Sequence, residues 1–165
     1  MIDLGRFNTC VCQADNNPVP MCAGALVLRE RGKSVKLLPK NGEEAIAVIL
    51  DQCVVKNTAT CDGLFLLKTP HMKWMIPVEL KGTHFYDAFQ QLATTMHELP
   101  EFDEITNIFK ADEQIKINIH AVVISNAILN TRDQRKLEQT HNIRVKKILH
   151  STATKPIEDI RKYFK

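Results

Sequence analysis

Two short apolar runs separated by a polar connection dominate the middle of the chain. Residues 63–67 and 74–80 each have the length of a strand, and residues 68–73 between them are mostly polar. Short apolar runs bounded by turn residues favour buried strands. Successive side chains of a strand point to opposite faces. The second run therefore has one continuous apolar face, which we expect to pack on a helix: Trp74, Ile76, Val78 and Leu80.

Before this hairpin, the pattern predicts two strands and a helix. Residues 25–38 read as two strands joined at Arg31-Gly32. Asn41 is a residue type that caps helices. Apolar residues at helical spacing follow it, namely Ile46, Ile49, Leu50 and Cys53. A helix is therefore predicted over about residues 42–53, followed by a short strand over 53–57.

Downstream of the hairpin, the periodicity predicts further helices and strands. The clearest helix, residues 84–99, has five apolar residues within a narrow arc: Phe85, Phe89, Leu92, Met96 and Leu99. The other predicted elements are an acidic loop (98–104), a strand (115–126), a polar helix (131–140), a strand (143–149) and a last helix from about Pro156. The resulting order predicts an α/β fold with a mixed sheet between helices.

Length and composition are those of an ordinary globular domain. The chain has 165 residues, of which 44% are hydrophobic and 25% are charged, so we expect one domain over residues 1–165. No apolar run approaches the roughly 20 residues of a membrane span. The first ten residues lack the basic and then apolar layout of a signal peptide. We therefore expect a cytoplasmic protein without a membrane partner.

The five cysteines are odd in number and unevenly spaced, a pattern that speaks against a disulfide framework. Cys10, Cys12 and Cys22 are sufficient for three zinc ligands, but no fourth ligand stands nearby in the sequence. Reduced and partly buried thiols are the favoured interpretation.

Positive charge is concentrated near the C-terminus. The net charge is +3, yet residues 130–165 hold 10 of the 22 Lys and Arg and only 4 of the 19 Asp and Glu. A basic segment on a mildly acidic body predicts contact with a polyanion. The alternative is a solvated helix face.

Three charged residues interrupt the predicted hairpin. Asp62 opens the first strand, and Glu79 and Lys81 share one face near the end of the second. Asp62 lies about as far before the connection as Glu79 lies after it, so the two carboxylates come level in a hairpin. Neighbouring carboxylates repel unless a cation lies between them, and Mg²⁺ prefers oxygen ligands. The pattern predicts metal-assisted phosphodiester hydrolysis; the alternative is a surface salt bridge.

These residues resemble a known family. Asp62, the triplet Glu79-Leu80-Lys81, Gly82 and the downstream run Ala88–Leu92 look like the PD-(D/E)XK nuclease superfamily, over about residues 40–126. The resemblance implies a restriction-endonuclease-like αβββαβ core, to which the N-terminal hairpin and the C-terminal helix are additions.

The resemblance also implies roles for individual residues. Asp62 and Glu79 would bind Mg²⁺ or Mn²⁺, and Lys81 would be the catalytic lysine. Gln91 would support the site from the following helix. An acidic residue of the first helix, Glu43 or Glu44, would support it as well, and helical phase favours Glu43.

Pro77 lies within the second predicted strand, and proline lacks the N–H that a sheet ladder needs. Its presence predicts a bulge or an edge position for this strand.

The expected function is thus a metal-dependent nuclease acting on DNA, with the basic segment 130–165 gripping the backbone. A homodimer is expected by analogy with small nucleases. One alternative is a nucleic-acid-binding or assembly subunit that has the same fold and does not cleave. Another is an enzyme that uses cysteine and histidine, although no such pair is visible in the sequence.

Overall fold

The structure, a computed structural model, describes residues 1–17, 19–111 and 114–164. It contains three α-helices: α1 (Phe85–Glu98), α2 (Pro100–Phe109) and α3 (Thr131–His141). The nine strands are β1 (Cys22–Gly24), β2 (Val27–Glu30), β3 (Lys33–Lys36), β4 (Glu44–Ile49), β5 (Gly63–Lys68), β6 (Met72–Lys81), β7 (Lys116–Ile119), β8 (Ala121–Ser125) and β9 (Val145–His150). Two short 3₁₀ helices span Gly5–Cys10 and Ile160–Tyr163. None of the described helices is long and apolar enough to cross a membrane.

A mixed six-stranded sheet forms the centre of the molecule. Its order is β4-β5-β6-β8-β9, with β7 also paired to β6. Strands β4, β5 and β6 form an antiparallel meander, whereas β7, β8 and β9 run parallel to their neighbours. The predicted hairpin is confirmed, with Gly63 opposite Val78. The α/β class with a mixed sheet and flanking helices is therefore confirmed.

The two faces of this sheet bury two separate clusters of apolar side chains. One cluster includes residues of α1 and α2, such as Phe89 and Ile105. The other includes Leu28 of β2 and Ile160 near the C-terminus, together with Ile76, Val78 and Leu80 of β6. The apolar face of β6 thus packs on the small sheet β1-β2-β3 and the C-terminal segment, so the prediction that it packs on a helix is wrong.

The predicted helix over 42–53 is wrong, because the segment forms strand β4. Both faces of its second half are covered, and Ala47, Val48 and Ile49 are fully buried. A strand buried on both sides has a continuous apolar run, which periodicity cannot distinguish from a buried helix. No strand spans 53–57 either. The chain turns there, with a positive φ at Asn57.

The predicted acidic loop over 98–104 is also wrong, since α2 begins at Pro100. Proline is suited to the first position of a helix, where its missing N–H has no partner to lose. Glu101 and Asp103 lie in the first turn and are favoured by the positive end of the helix dipole. Phe102, Ile105 and Phe109 then supply the buried face.

The predicted strand over 115–126 is present but interrupted at His120. Its two parts, β7 and β8, keep the same register on β6, with Ile119 opposite Met75 and Val122 opposite Val78. In this register the interruption is level with Ile76, and the adjacent Pro77 has no N–H to donate. It lies in a strand with neighbours on both sides, so the prediction of an edge position is wrong.

Other predictions differ in outcome. The β2–β3 hairpin turns at Arg31-Gly32, both of which have positive φ, and helices α1 and α3 and strand β9 lie where expected. The helix predicted from Pro156 is reduced to the 3₁₀ turn Ile160–Tyr163.

The structure contains two disulfides, Cys10–Cys53 and Cys12–Cys22, so the interpretation of all cysteines as reduced thiols is wrong. The bridges also remove the three-cysteine zinc alternative. Only Cys61 is free, and it is buried. Pairs as distant as Cys10 and Cys53 meet only through the tertiary fold, which spacing does not reveal. Disulfides are rare in cytosolic proteins, so the two bridges weigh against a cytoplasmic location. The cytoplasmic location stays a prediction.

Gly63 allows the small sheet to approach the large one. A Cβ at this position would lie 2.8 Å from Leu28 Cδ1 and 3.2 Å from the Val48 carbonyl oxygen. We expect Gly63→Ala to lower the free energy of unfolding by about 1–3 kcal/mol, because the added methyl must displace the fully buried Leu28 side chain and crowds the Val48 carbonyl oxygen. Urea titration measures this change. Gly24→Ala, whose Cβ would meet nothing nearer than 3.5 Å, is the matched control, and equal stabilities of the two variants would contradict the argument.

Candidate active site

The candidate site lies at one end of the large sheet, on the face covered by α1. Asp62 directly precedes β5, and Glu79 and Lys81 lie near the end of β6. Asp62 Oδ2 accepts a hydrogen bond of 2.7 Å from the Leu80 N–H, and its side chain lies within hydrogen-bonding range of Glu79. The hairpin register therefore brings the two predicted carboxyl groups together.

Glu79 is buried, and this environment disfavours the charged form of its carboxyl group. Its exposed fraction is 1% and that of Asp62 is 7%. Burial raises the pKa of Glu79 most, and the hydrogen bond and charge of Asp62 raise it further, to about 11. In the absence of a cation, Glu79 thus carries a proton at neutral pH. Burial of such a pair costs several kcal/mol, so its presence at a strand end requires an explanation other than stability.

Lys81 lies two residues beyond Glu79 on the same face and is half-buried. Burial raises the pKa of Glu79 and that of Asp51, and the positive charge of Lys81 partly offsets both increases. Among the described residues, its ammonium group makes no ion pair within 4.0 Å of a carboxylate. With both carboxyl groups buried and no bridge formed, the surface salt-bridge interpretation is wrong.

Two further carboxylates, which the sequence interpretation missed, approach the same place. Glu30 ends β2, and burial together with the charge of Asp62 raises its pKa. Asp51 follows β4, and its pKa is likewise raised, by burial first and by Asp62 to a smaller extent. The N–H of Asp51 donates to the Asp62 carbonyl at 3.4 Å. Asp51 could be found from the sequence by predicting where β4 ends. The position of Glu30 near the site depends on how the small sheet packs on the large one, which the sequence does not reveal.

The acidic residue expected from a first helix is not in the site. No helix precedes β5 within the described residues except the 3₁₀ turn Gly5–Cys10. Glu44 pairs with Lys68, at the opposite end of β5 from Asp62, and binds the N-terminal amine at 2.9 Å. Glu43 is hydrogen-bonded to Arg161. Burial raises the Glu43 pKa, but Arg161 outweighs it and holds the pKa below the ordinary value. The predicted supporting role of Glu43 is wrong.

Helix α1 contacts the site through Thr95. Gln91, the residue predicted for this role, is half-buried, and its carbonyl accepts the Thr95 hydroxyl at 2.7 Å. The Thr95 hydroxyl in turn accepts the Cys61 N–H at 2.8 Å. Thr95 is fully buried and therefore fixes the backbone just before Asp62. The support predicted for the Gln91 side chain stays a prediction.

The carboxyl ends of three parallel strands extend the same edge. Lys81 is opposite Ser125 of β8, and Ser125 is opposite His150 of β9. The Ser125 hydroxyl donates to the Gly82 carbonyl. Basic side chains of the C-terminal segment are exposed on the adjoining elements: Arg132, Arg135, Lys136, Arg144, Lys146 and Lys147. Their contact with nucleic acid stays a prediction.

The donor groups at the site fit a hard cation. Glu79 Oε2 is buried and has no hydrogen-bond partner among the described residues, and two carboxylates with retained water suit Mg²⁺. The described residues form no group of three or more His, Cys, Asp or Glu with the arrangement of a metal site. An ion held by Asp62 and Glu79 would need further oxygen ligands from the backbone or from water.

Cys61, beside the carboxyl pair, is unsuited to nucleophilic chemistry. Burial raises the pKa of its thiol well above the ordinary value, and Glu79 raises it further. Thiols react as thiolates. The four other cysteines form disulfides, so the structure speaks against the alternative of a cysteine–histidine enzyme.

Comparison with known proteins does not identify a relative. No protein-family model, no curated protein and no solved structure matches the chain.

Proposed function

We propose that this protein is a metal-dependent nuclease that hydrolyses phosphodiester bonds, with DNA as the expected substrate. The observation that carries the proposal is the buried pair of carboxyl groups, Asp62 and Glu79, at the end of two paired strands. Strongly perturbed ionisable groups cluster at functional sites. The proposal includes a fold related to restriction endonucleases, which the β4-β5-β6 meander followed by α1 and the parallel β8 supports.

In the proposed mechanism, Asp62 and Glu79 would hold the cation through their carboxylates. A bound Mg²⁺ or Mn²⁺ would neutralise the two carboxylates and polarise the scissile phosphate. Lys81 faces the same side and would orient the attacking water by hydrogen bonding. Its positive charge would also offset negative charge that develops on the phosphoryl oxygens. Burial of the site strengthens these electrostatic effects, because little water screens them.

The order of elements differs from the resemblance before β5 and after α1, where the additional helix α2 precedes the parallel strands. A strand, β4, stands where the first helix of the αβββαβ core was expected. In the proposal, the supporting carboxylates of the site are Asp51, which follows β4, and Glu30, which ends β2. The proposal therefore does not depend on Glu43 or Glu44.

A cleavage assay tests the proposal directly. The protein is incubated with linear duplex, circular duplex, single-stranded DNA and RNA, each with Mg²⁺, with Mn²⁺ or with EDTA. We expect cleavage in a metal arm, none with EDTA, and none by Asp62→Ala. Binding without cleavage in every metal arm would instead favour a nucleic-acid-binding subunit, and cleavage by Asp62→Ala would overturn the assignment of the site.

A further inference from the structure

Ile128 is an apolar side chain in an unusual position. Its exposed fraction is 87%, the highest of any large hydrophobic side chain among the described residues apart from Met1. It lies in the loop between β8 and α3, and its neighbours Ala127 and Leu129 pack against the core. The loop is thus anchored on both sides of Ile128 while this one side chain points outward.

Hydrogen bonds hold this loop in one conformation. The Ala127 N–H donates to the Ser125 hydroxyl at 3.0 Å, and His150 Nε2 lies 3.1 Å from the Asn126 carbonyl oxygen. On the other side, Asn130 caps α3, with its side chain accepting the Asp133 N–H at 2.8 Å. The position of Ile128 is therefore set by the ends of β8 and α3.

The surroundings of Ile128 favour a polyanion. A cavity of about 420 Å³ beside it is lined by Lys146, Lys147 and His150 among others, and no acidic side chain of the described residues lines it. An exposed apolar side chain in a basic surface is complementary to nucleic acid, because the base faces are apolar and the phosphates around them are negatively charged. A protein partner would more often meet a wider apolar patch.

The loop also lies close to the candidate active site. Ser125 is paired with Lys81, so their Cα atoms are about 5 Å apart. Ile128 is three residues further along the chain, a distance of at most about 11 Å. Its Cα therefore lies within about 16 Å of the Lys81 Cα, which is less than half of the roughly 34 Å of one helical turn of duplex.

We infer that Ile128 is a wedge that inserts between neighbouring base pairs of a duplex substrate, within one helical turn of the scissile bond at Lys81. The inference rests on the proposed function, since it takes this edge of the sheet as the nucleic-acid-binding face. Lys146 and Lys147 contact the flanking phosphates, and Ile128 unstacks one base step. Duplexes with a mismatch or a branch at that step are then preferred substrates, because their unstacking costs less.

Fluorescence of 2-aminopurine tests the wedge, since this base is quenched when stacked and bright when unstacked. A set of duplexes, each with one 2-aminopurine at a different position, is titrated with the protein in EDTA. We expect emission to increase when the protein binds. Ile128→Ala should lose the increase and keep binding through the phosphate contacts. Ile119→Ala, the same change at another exposed isoleucine, should retain the increase.

The outcomes separate this inference from the proposed function. Cleavage in a metal arm without increased emission at any position would overturn the wedge and leave the nuclease proposal standing. Increased emission that depends on Ile128, without cleavage in any metal, would support the wedge and count against the nuclease. If Ile128→Ala changes the sedimentation of the protein alone and not the emission, Ile128 contacts another protein chain and the wedge is overturned.

Discussion

Replacing Lys81 by alanine should abolish cleavage and leave metal binding intact. Lys81 adds a positive charge near the proposed cation site, so its removal relieves repulsion and Mn²⁺ should bind as tightly or more tightly. The attacking water loses its positioning group, and the transition state loses a compensating charge. Such contributions are each worth about 10²–10³-fold in rate. Isothermal titration with Mn²⁺ and a cleavage assay on the same preparations measure the two effects.

The carboxylate variants should behave differently from Lys81→Ala. Asp62→Ala and Glu79→Ala remove groups that hold the cation, so metal affinity and cleavage should fall together. Lys68→Ala, the same change at the other end of β5, is the matched control and should cleave at the parental rate. Full cleavage by Lys81→Ala would show that Lys81 has no part in the chemistry. Joint loss of metal and activity in Lys81→Ala would instead indicate a structural cluster.

Raising the pH in EDTA should destabilise the fold through Glu79. The pKa of this carboxyl is about 11 in the folded protein and near the ordinary 4.5 once unfolded. Between these pH values the folded state holds a proton that the unfolded state has lost. The contribution of this proton to stability is therefore complete below pH 4.5 and decreases as the pH rises toward 11. The free energy of unfolding should fall by about 1.4 kcal/mol for each pH unit. Urea titrations at pH 5 to 8 measure this slope.

Glu79→Gln separates this carboxyl from the other ionisable groups. The amide is close in shape and stays neutral, so the slope should become much smaller, with Glu30 and Asp51 supplying the remainder because their pKa values are also raised. Glu158→Gln, at an exposed position, should keep the parental slope. A parental slope in Glu79→Gln would mean that Glu79 is ionised in the folded protein, and that the charge of the pair is compensated in another way.

The part of the site that sequence reasoning could predict is the part built from neighbouring segments. Asp62 and Glu79 meet because a hairpin with a short connection fixes its own register, and counting residues on either side gives that register. Alternation then places Lys81 on the face of Glu79. These three positions needed no knowledge of the rest of the fold.

Other features depended on contacts that a single sequence does not display. The pattern of strand β4 predicts a helix because the strand is covered on both faces, which removes the alternation that identifies a strand. Glu30 reaches the site only because Leu28 packs on Gly63, a contact between segments 35 residues apart. The start of α2 can be predicted from the sequence, since Pro100 followed by Glu101 and Asp103 is a helix-start pattern, although the acidic composition of the segment favours a loop.

The Cys10–Cys53 bridge has a practical consequence for experiments on this protein. Cys53 lies two residues after Asp51, so the bridge ties the turn that carries this carboxylate to the 3₁₀ helix Gly5–Cys10. Thiol reductants, which are routine additives in storage and reaction buffers, would open the bridge and leave that turn held by fewer constraints. Preparations should therefore be purified and assayed without reductant, and a parallel reaction with reductant would measure how far the bridge governs activity.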